Sequence, residues 1–201
     1  MNPDPISQIL ITPEAFQRLK FCIEICPSEI SGLGRVEPYE NNLLISEVFI
    51  LKQKVSSSDT ELDPEGVCQL LSRFIQEGRD PSSIRLWWHS HGEMDVEWSD
   101  TDEKTIHSFN GDYMVSVMGN KQGQFLCRLD FFSPERRVME GLPLVPLAED
   151  GGSDELALRE SIEAEIQEKV RAIFPIEHLI TGSELPNPIL YLEYQLPLKK
   201  K

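Results

Sequence analysis

Ile84-Arg85-Leu86-Trp87-Trp88-His89-Ser90-His91, followed after seven residues by Ser99-Asp100-Thr101-Asp102, reads as a strand ending in two histidines and then a helix beginning on a serine. The run 84–88 is apolar, β-branched or aromatic at most positions and follows a Pro81-Ser82-Ser83 turn signal, which predicts a strand. Strand side chains alternate with period two, so His89 and His91 face the same side and can share one ion. Ser99 is a favoured N-cap, and Asp102 falls three positions later, in the first helical turn. That pair alone is an ordinary capping box. Combined with the histidines it is rare: from average residue usage, the full pattern arises by chance in roughly one chain of this length in several thousand. An aspartate in a first turn can also ligate metal while facing the helix dipole.

His89, His91 and Asp102 offer two neutral imidazoles and one carboxylate. Such a set holds one tetrahedral zinc with an open fourth position, where water acquires a pKa of about 7. A nearby glutamate that does not ligate the ion would take the water's proton and pass it to a departing amine. The Ser99 hydroxyl would donate to the oxyanion, a contribution of ~3 kcal/mol per donor in other enzymes.

These residues resemble the motif of the JAMM (MPN-plus, JAB-type) zinc metalloproteases: an upstream glutamate, HxH, usually a proline, then SxxD after a fixed spacer. The resemblance spans residues 10–140. Family members commonly carry the glutamate in E-x-x-G after the first helix, and Glu29-Ile30-Ser31-Gly32 stands in that place. The resemblance therefore assigns Glu29 as general base, while Glu24, Glu37, Glu40 and Glu47 also stand in the upstream region. It implies the cytidine-deaminase-like α/β/α sandwich of the JAB/MPN domain, a mixed sheet flanked by helices, with one zinc per chain. It further implies cleavage of the amide or isopeptide bond after the C-terminal glycine of a ubiquitin-like protein, whose extended tail would add as a strand beside the site. Brevity and the attached C-terminal helix look like prokaryotic JAB proteins that act on ubiquitin-like or sulfur-carrier proteins. One departure is Gly92 where most members have proline, which implies a freer loop over residues 93–98. Two other readings stand beside this one: a zinc hydrolase or deaminase of a small molecule, and a non-catalytic MPN-type scaffold.

Outside the motif, Thr12-Pro13 opens a helix that Pro27 closes, and 30–37 and 43–51 read as strands. Asp63-Pro64 opens a second helix with an apolar stripe of Val67, Leu70, Leu71, Phe74 and Ile75, ended by Gly78. Residues 113–118 and 124–132 read as a hairpin, with a weaker strand at 136–139. A catalytic domain over 1–145, a linker over 146–154 and a C-terminal helix and tail over 155–201 follow. Leu158, Ile162, Ile166, Val170 and Ile173 form the last helix's stripe, which would pack on the domain or serve a dimer or partner subunit. A strand is predicted at 189–194, and Gly151-Gly152 reads as a flexible joint. His107 and His178 read as surface or satisfied histidines, and Trp98 either as a shield beside the site or as a half-buried aromatic covering the helix start.

The chain has 201 residues, 40% of them hydrophobic, enough for one domain with a proper core. A net charge of -15 with no basic stripe argues against nucleic acid as a partner. No stretch of about eighteen apolar residues occurs, and the first residues lack a signal peptide's pattern, so a soluble cytoplasmic protein without a membrane partner is expected. Cys22, Cys26, Cys68 and Cys127 read as buried thiols rather than a disulfide frame.

Overall fold

The computed structural model describes residues 6–56, 59–148 and 154–173. They form a mixed sheet flanked by helices. β1 (Ile9–Ile11) leads into α1 (Pro13–Ile25), then β2 (Ser31–Tyr39), β3 (Asn42–Ile50), β4 (Gln53–Val55) and β5 (Thr60–Leu62). α2 (Pro64–Gln76) precedes β6 (Ile84–Ser90) and α3 (Asp100–Ser108), and β7 (Tyr113–Gly119), β8 (Phe125–Phe131), β9 (Arg137–Glu140) and β10 (Leu144–Pro146) follow. α4 (Glu155–Lys169) and β11 (Val170–Ala172) complete the described chain. The main sheet runs β10-β1-β3-β2-β6-β7-β8-β9, and β11-β4-β5 form a smaller one.

Caps and alternation account for these elements. The Thr12 hydroxyl accepts the Ala15 amide at 3.2 Å and Pro13 supplies a preset φ, so α1 starts where the sequence predicts. Leu19, Cys22 and Ile23 of α1 and Ile162 and Ile166 of α4 share one core with Leu86, Trp88, Val115, Val117 and Leu129 of the sheet. On the opposite face Leu70 and Phe74 of α2 and Ile106 of α3 pack with Leu33, Trp87 and Met114. The consecutive tryptophans of β6 thus enter different cores, as period two requires.

Several expectations are corrected. β1, β4, β5, β10 and β11 were not predicted, because three residues carry too little alternation to register. Pro146, read as the linker's first residue, closes β10, an edge strand, where a missing N–H costs little. The last helix does not reach Ile173. It ends at Lys169, and Val170–Ala172 pair in parallel with β4, with the Ile173 amide donating to Val55 O at 2.6 Å. Pairing to the open side of β4 outweighs one more helical turn there, and Ile173 stays half exposed. Cys68 is exposed rather than buried, and all four cysteines are free. Burial pushes the Cys22 and Cys127 thiols up to about 12. The strand expected at 189–194, His178 and Gly151-Gly152 lie outside the described residues. Among the described residues no helix is long and apolar enough to cross a membrane.

Candidate metal centre

β6 delivers the histidines. With Leu86 and Trp88 turned into one core, Trp87 and His89 share the opposite face, and the His89 ring stacks on Trp87 at 4.4 Å between centroids and 18° between planes. β6 ends at Ser90, whose N–H donates to Ile30 O at 2.8 Å and whose Oγ accepts the Ile30 amide at 3.0 Å. His91 lies just beyond, its amide held by Gly119 O of β7 at 2.9 Å. Its Nδ1 sits 3.1 Å from Asp95 O; with that nitrogen donating, Nε2 carries the free lone pair.

α3 delivers the third group. Ser99 caps it with a full capping box: Asp102 Oδ2 accepts the Ser99 amide at 2.8 Å and the Ser99 hydroxyl at 2.7 Å, while the Asp102 amide donates to Ser99 Oγ at 3.2 Å. Asp102 Oδ1 lies 3.1 Å from His89 Nε2, and Oδ2 lies 3.7 Å from His91 Nε2. One ligand atom from each of the three residues falls within 4.8 Å of the others. Ligands bonded to one zinc at ~2.1 Å stand ~3.4 Å apart in a tetrahedron, so the set suits a single ion. His89 is 3% exposed, and among the described residues neither of its ring nitrogens has a hydrogen-bond partner. An orphaned buried imidazole costs free energy that coordination would remove. These three residues could therefore hold a metal ion.

Protonation favours ligation. Burial pushes His89 below its ordinary pKa, against the pull of Asp102, and keeps it neutral. Contact with Asp102 raises His91, with burial opposing. Burial alone would raise Asp102, but the close approach of His89 and His91 and the Ser99 hydroxyl outweigh it and hold the carboxyl well below the usual range.

Glu29 lines the same cleft, of about 600 Å³, as His89, His91, Ser99 and Asp102. Long-range pairing puts it there. Ser31 at the start of β2 pairs with His89, and the buried Gln53 side chain grips the Ser31 backbone on the other side, accepting from its N–H at 2.9 Å and donating to its O at 2.8 Å. Gly32 is required by close approach: a Cβ would lie 2.1 Å from Phe49 O and 2.7 Å from Trp88 Nε1. Glu29 is 6% exposed, and its amide donates to Ser56 O at 3.2 Å. Burial first, then Asp102 and Asp59, push its carboxyl up to about 7 against the pull of His91. Such a group exchanges protons readily near neutral pH. By contrast, Glu37, Glu40 and Glu47 are on β2, β3 or their connecting turn, Glu24 is on α1, and none lines this cleft.

Gly92 has φ +51°, which proline cannot adopt, so the loop leaves β6 along a path closed to that residue. Nor is the loop loose: the Lys121 amide donates to Gly92 O at 2.9 Å, Asn120 Nδ2 to Met94 O at 3.0 Å and Gln122 Nε2 to Glu93 O at 3.2 Å. Trp98 stands over the site, its ring 5.9 Å from that of His89. His107 is exposed on α3 and does not line the cleft. Sequence reading missed Asp59, Asp95 and Glu97, which add carboxylates to the cleft. Nothing local distinguishes them in a chain with 34 acidic residues. It also missed Arg128 and Asp130, whose alternation as opposite charges inside an apolar strand was the available signal.

No protein-family model matches the chain, and no curated protein matches it. Among solved structures it is similar to the solution structure of protein DSY2949 from Desulfitobacterium hafniense, at 15% identity and a TM-score of 0.55, over 71% of this chain and 94% of that one. At that identity the likeness concerns the fold alone.

Proposed function

We propose that the chain is a zinc-dependent peptidase or isopeptidase with the fold of the JAB/MPN domain, hydrolysing the amide bond after the C-terminal glycine of a ubiquitin-like protein. The observation that carries this reading is the meeting of His89, His91 and Asp102 with the buried carboxyl of Glu29 in one cleft. Two imidazoles and a carboxylate are ligands that suit zinc. When bound there, zinc lowers the pKa of a water and polarises the carbonyl under attack.

The chain's own residues do the rest. Glu29 accepts the proton of the attacking water and returns it to the departing amine. Ser99, exposed at the cleft, donates its hydroxyl to the developing oxyanion once it rotates away from Asp102. Trp87 fixes the plane of His89, and the Asp95 carbonyl fixes the tautomer of His91. β5 is an edge strand whose Thr60 lines the cleft, so its backbone can pair with an extended tail.

The test is cleavage of ubiquitin-like proteins carrying a C-terminal extension by the zinc-loaded chain. The reading requires a product ending in the modifier's terminal glycine, and no product from Glu29→Gln. Cleavage that persists in Glu29→Gln would refute the assignment of the base.

A further inference from the structure

Arg128 carries a charge into the interior of β8, with its side chain 1% exposed. Its guanidinium is forked onto Asp130 two residues on: Nε donates to Oδ2 at 2.7 Å and Nη2 to Oδ1 at 2.9 Å. Asp130, wholly buried, also receives Arg136 at 3.3 Å. Arg128 is thus held within the sheet, by Asp130 in its own strand and by Glu140 of β9, whose Oε1 accepts from Nη1 at 3.5 Å. Yet the outer nitrogens of Arg128 also reach α3, where Nη1 and Nη2 both donate to the Glu103 carboxylate, the latter at 3.3 Å. The same guanidinium lies 5.3 Å from the centre of the Trp98 ring.

Trp98 immediately precedes Ser99, and Glu103 immediately follows Asp102. Arg128 thus grips both flanks of the segment that carries the cap and the third ligand. α3 needs such a hold. It has nine residues, and Ile106 is its only buried apolar side chain, so apolar packing gives the helix little to fix its angle on the sheet. A planar guanidinium engaging a carboxylate at two points restrains orientation as well as distance.

We propose that Arg128 is a positioning residue for the metal site, holding Trp98 and Glu103 so that Asp102 meets His89 and His91. This rests on the metal-binding reading above.

Removing Arg128 would strand buried Asp130, so the test cuts the link from the α3 side. Glu103→Ala leaves the Arg128–Asp130 pair in place and raises helix propensity, and Glu103→Gln keeps an acceptor for Arg128. Two properties of the full chain are measured: zinc affinity by competition with a chelator, and amide hydrogen exchange of the metal-free chain. Glu103→Ala is expected to weaken zinc binding at least ~10-fold and to speed exchange at residues 102–106 by a similar factor, with β6 and β7 unchanged. Glu103→Gln is expected to recover part of both. Zinc affinity within about twofold of wild type in Glu103→Ala, or exchange that quickens equally through β6 and β7, would overturn the proposal. A wild-type chain that binds no zinc would sink the metal reading instead, and exchange at α3 alone would then decide whether Arg128 holds that helix.

Discussion

Ser99 and Asp102 close on each other, with the Ser99 hydroxyl 2.7 Å from Asp102 Oδ2, so that the carboxylate that closes the helix cap is also placed to be the third ligand of a metal ion. Oδ2 takes two donors from Ser99, while Oδ1 faces His89 Nε2 at 3.1 Å. The capping and metal readings of S-x-x-D are therefore complementary. Under the proposed function they also set an order of events, since the hydroxyl must leave Oδ2 before it can donate to an oxyanion.

Replacing Ser99 separates these roles. Ser99→Ala loses the hydroxyl cap but keeps the backbone donor to Asp102, so unfolding in urea should show a loss of about 1 kcal/mol. Turnover should fall by about 10²–10³, more than the loss of stability explains. Turnover equal to wild type would remove Ser99 from the chemistry and leave it as a cap.

Glu29 imposes a sign on the pH dependence of stability. Its folded pKa is raised from 4.5 to about 7, so across that window the unfolded chain gives up the proton first and folding stability falls as pH rises. The full cost of burying the charge is present above about 7 and absent below about 4.5. In the metal-free chain, the stability of wild type relative to Glu29→Gln should drop by ~3 kcal/mol between these limits, at about 1.4 kcal/mol per unit. Urea unfolding of both chains across this range checks it; parallel curves would contradict the buried, protonated state.

Gly32 should not tolerate a methyl group. Alanine would drive Cβ to 2.1 Å from Phe49 O and 2.7 Å from Trp88 Nε1, both fixed by the sheet. A loss of about 1–3 kcal/mol or more is expected, together with weaker metal binding as the register of Ser31 against His89 shifts. An unchanged melting midpoint would mean that β2 and β6 are not packed as described.

What was legible in the chain was local. His89, His91, Ser99 and Asp102 obey rules that act over a few residues, namely strand alternation and helix capping, and the structure brings all four to one cleft. Glu29 is different in kind. Its place depends on the pairing of Ser31 with His89, on Ser90 against Ile30 and on the Gln53 clamp, contacts separated by 22 to 60 residues, so only a resemblance singled it out from its neighbouring glutamates. The long elements carried enough periodicity to be read, whereas β1, β4, β5, β10 and β11 exist through their partners rather than through any pattern of their own. Val170 marks the limit of periodicity: it continues the stripe of α4 in sequence but belongs to a strand, because β4 offers it backbone hydrogen bonds.

If His89, His91 and Asp102 bind one zinc and Glu29 does not, metal content must follow the three ligands alone. Mass spectrometry of the purified chain, with His91→Ala and Glu29→Gln beside it, measures this. About one zinc per chain is expected in wild type and in Glu29→Gln, with its loss in His91→Ala. A wild-type chain that holds no zinc after reconstitution, or a His91→Ala chain that keeps it, would rule out this site.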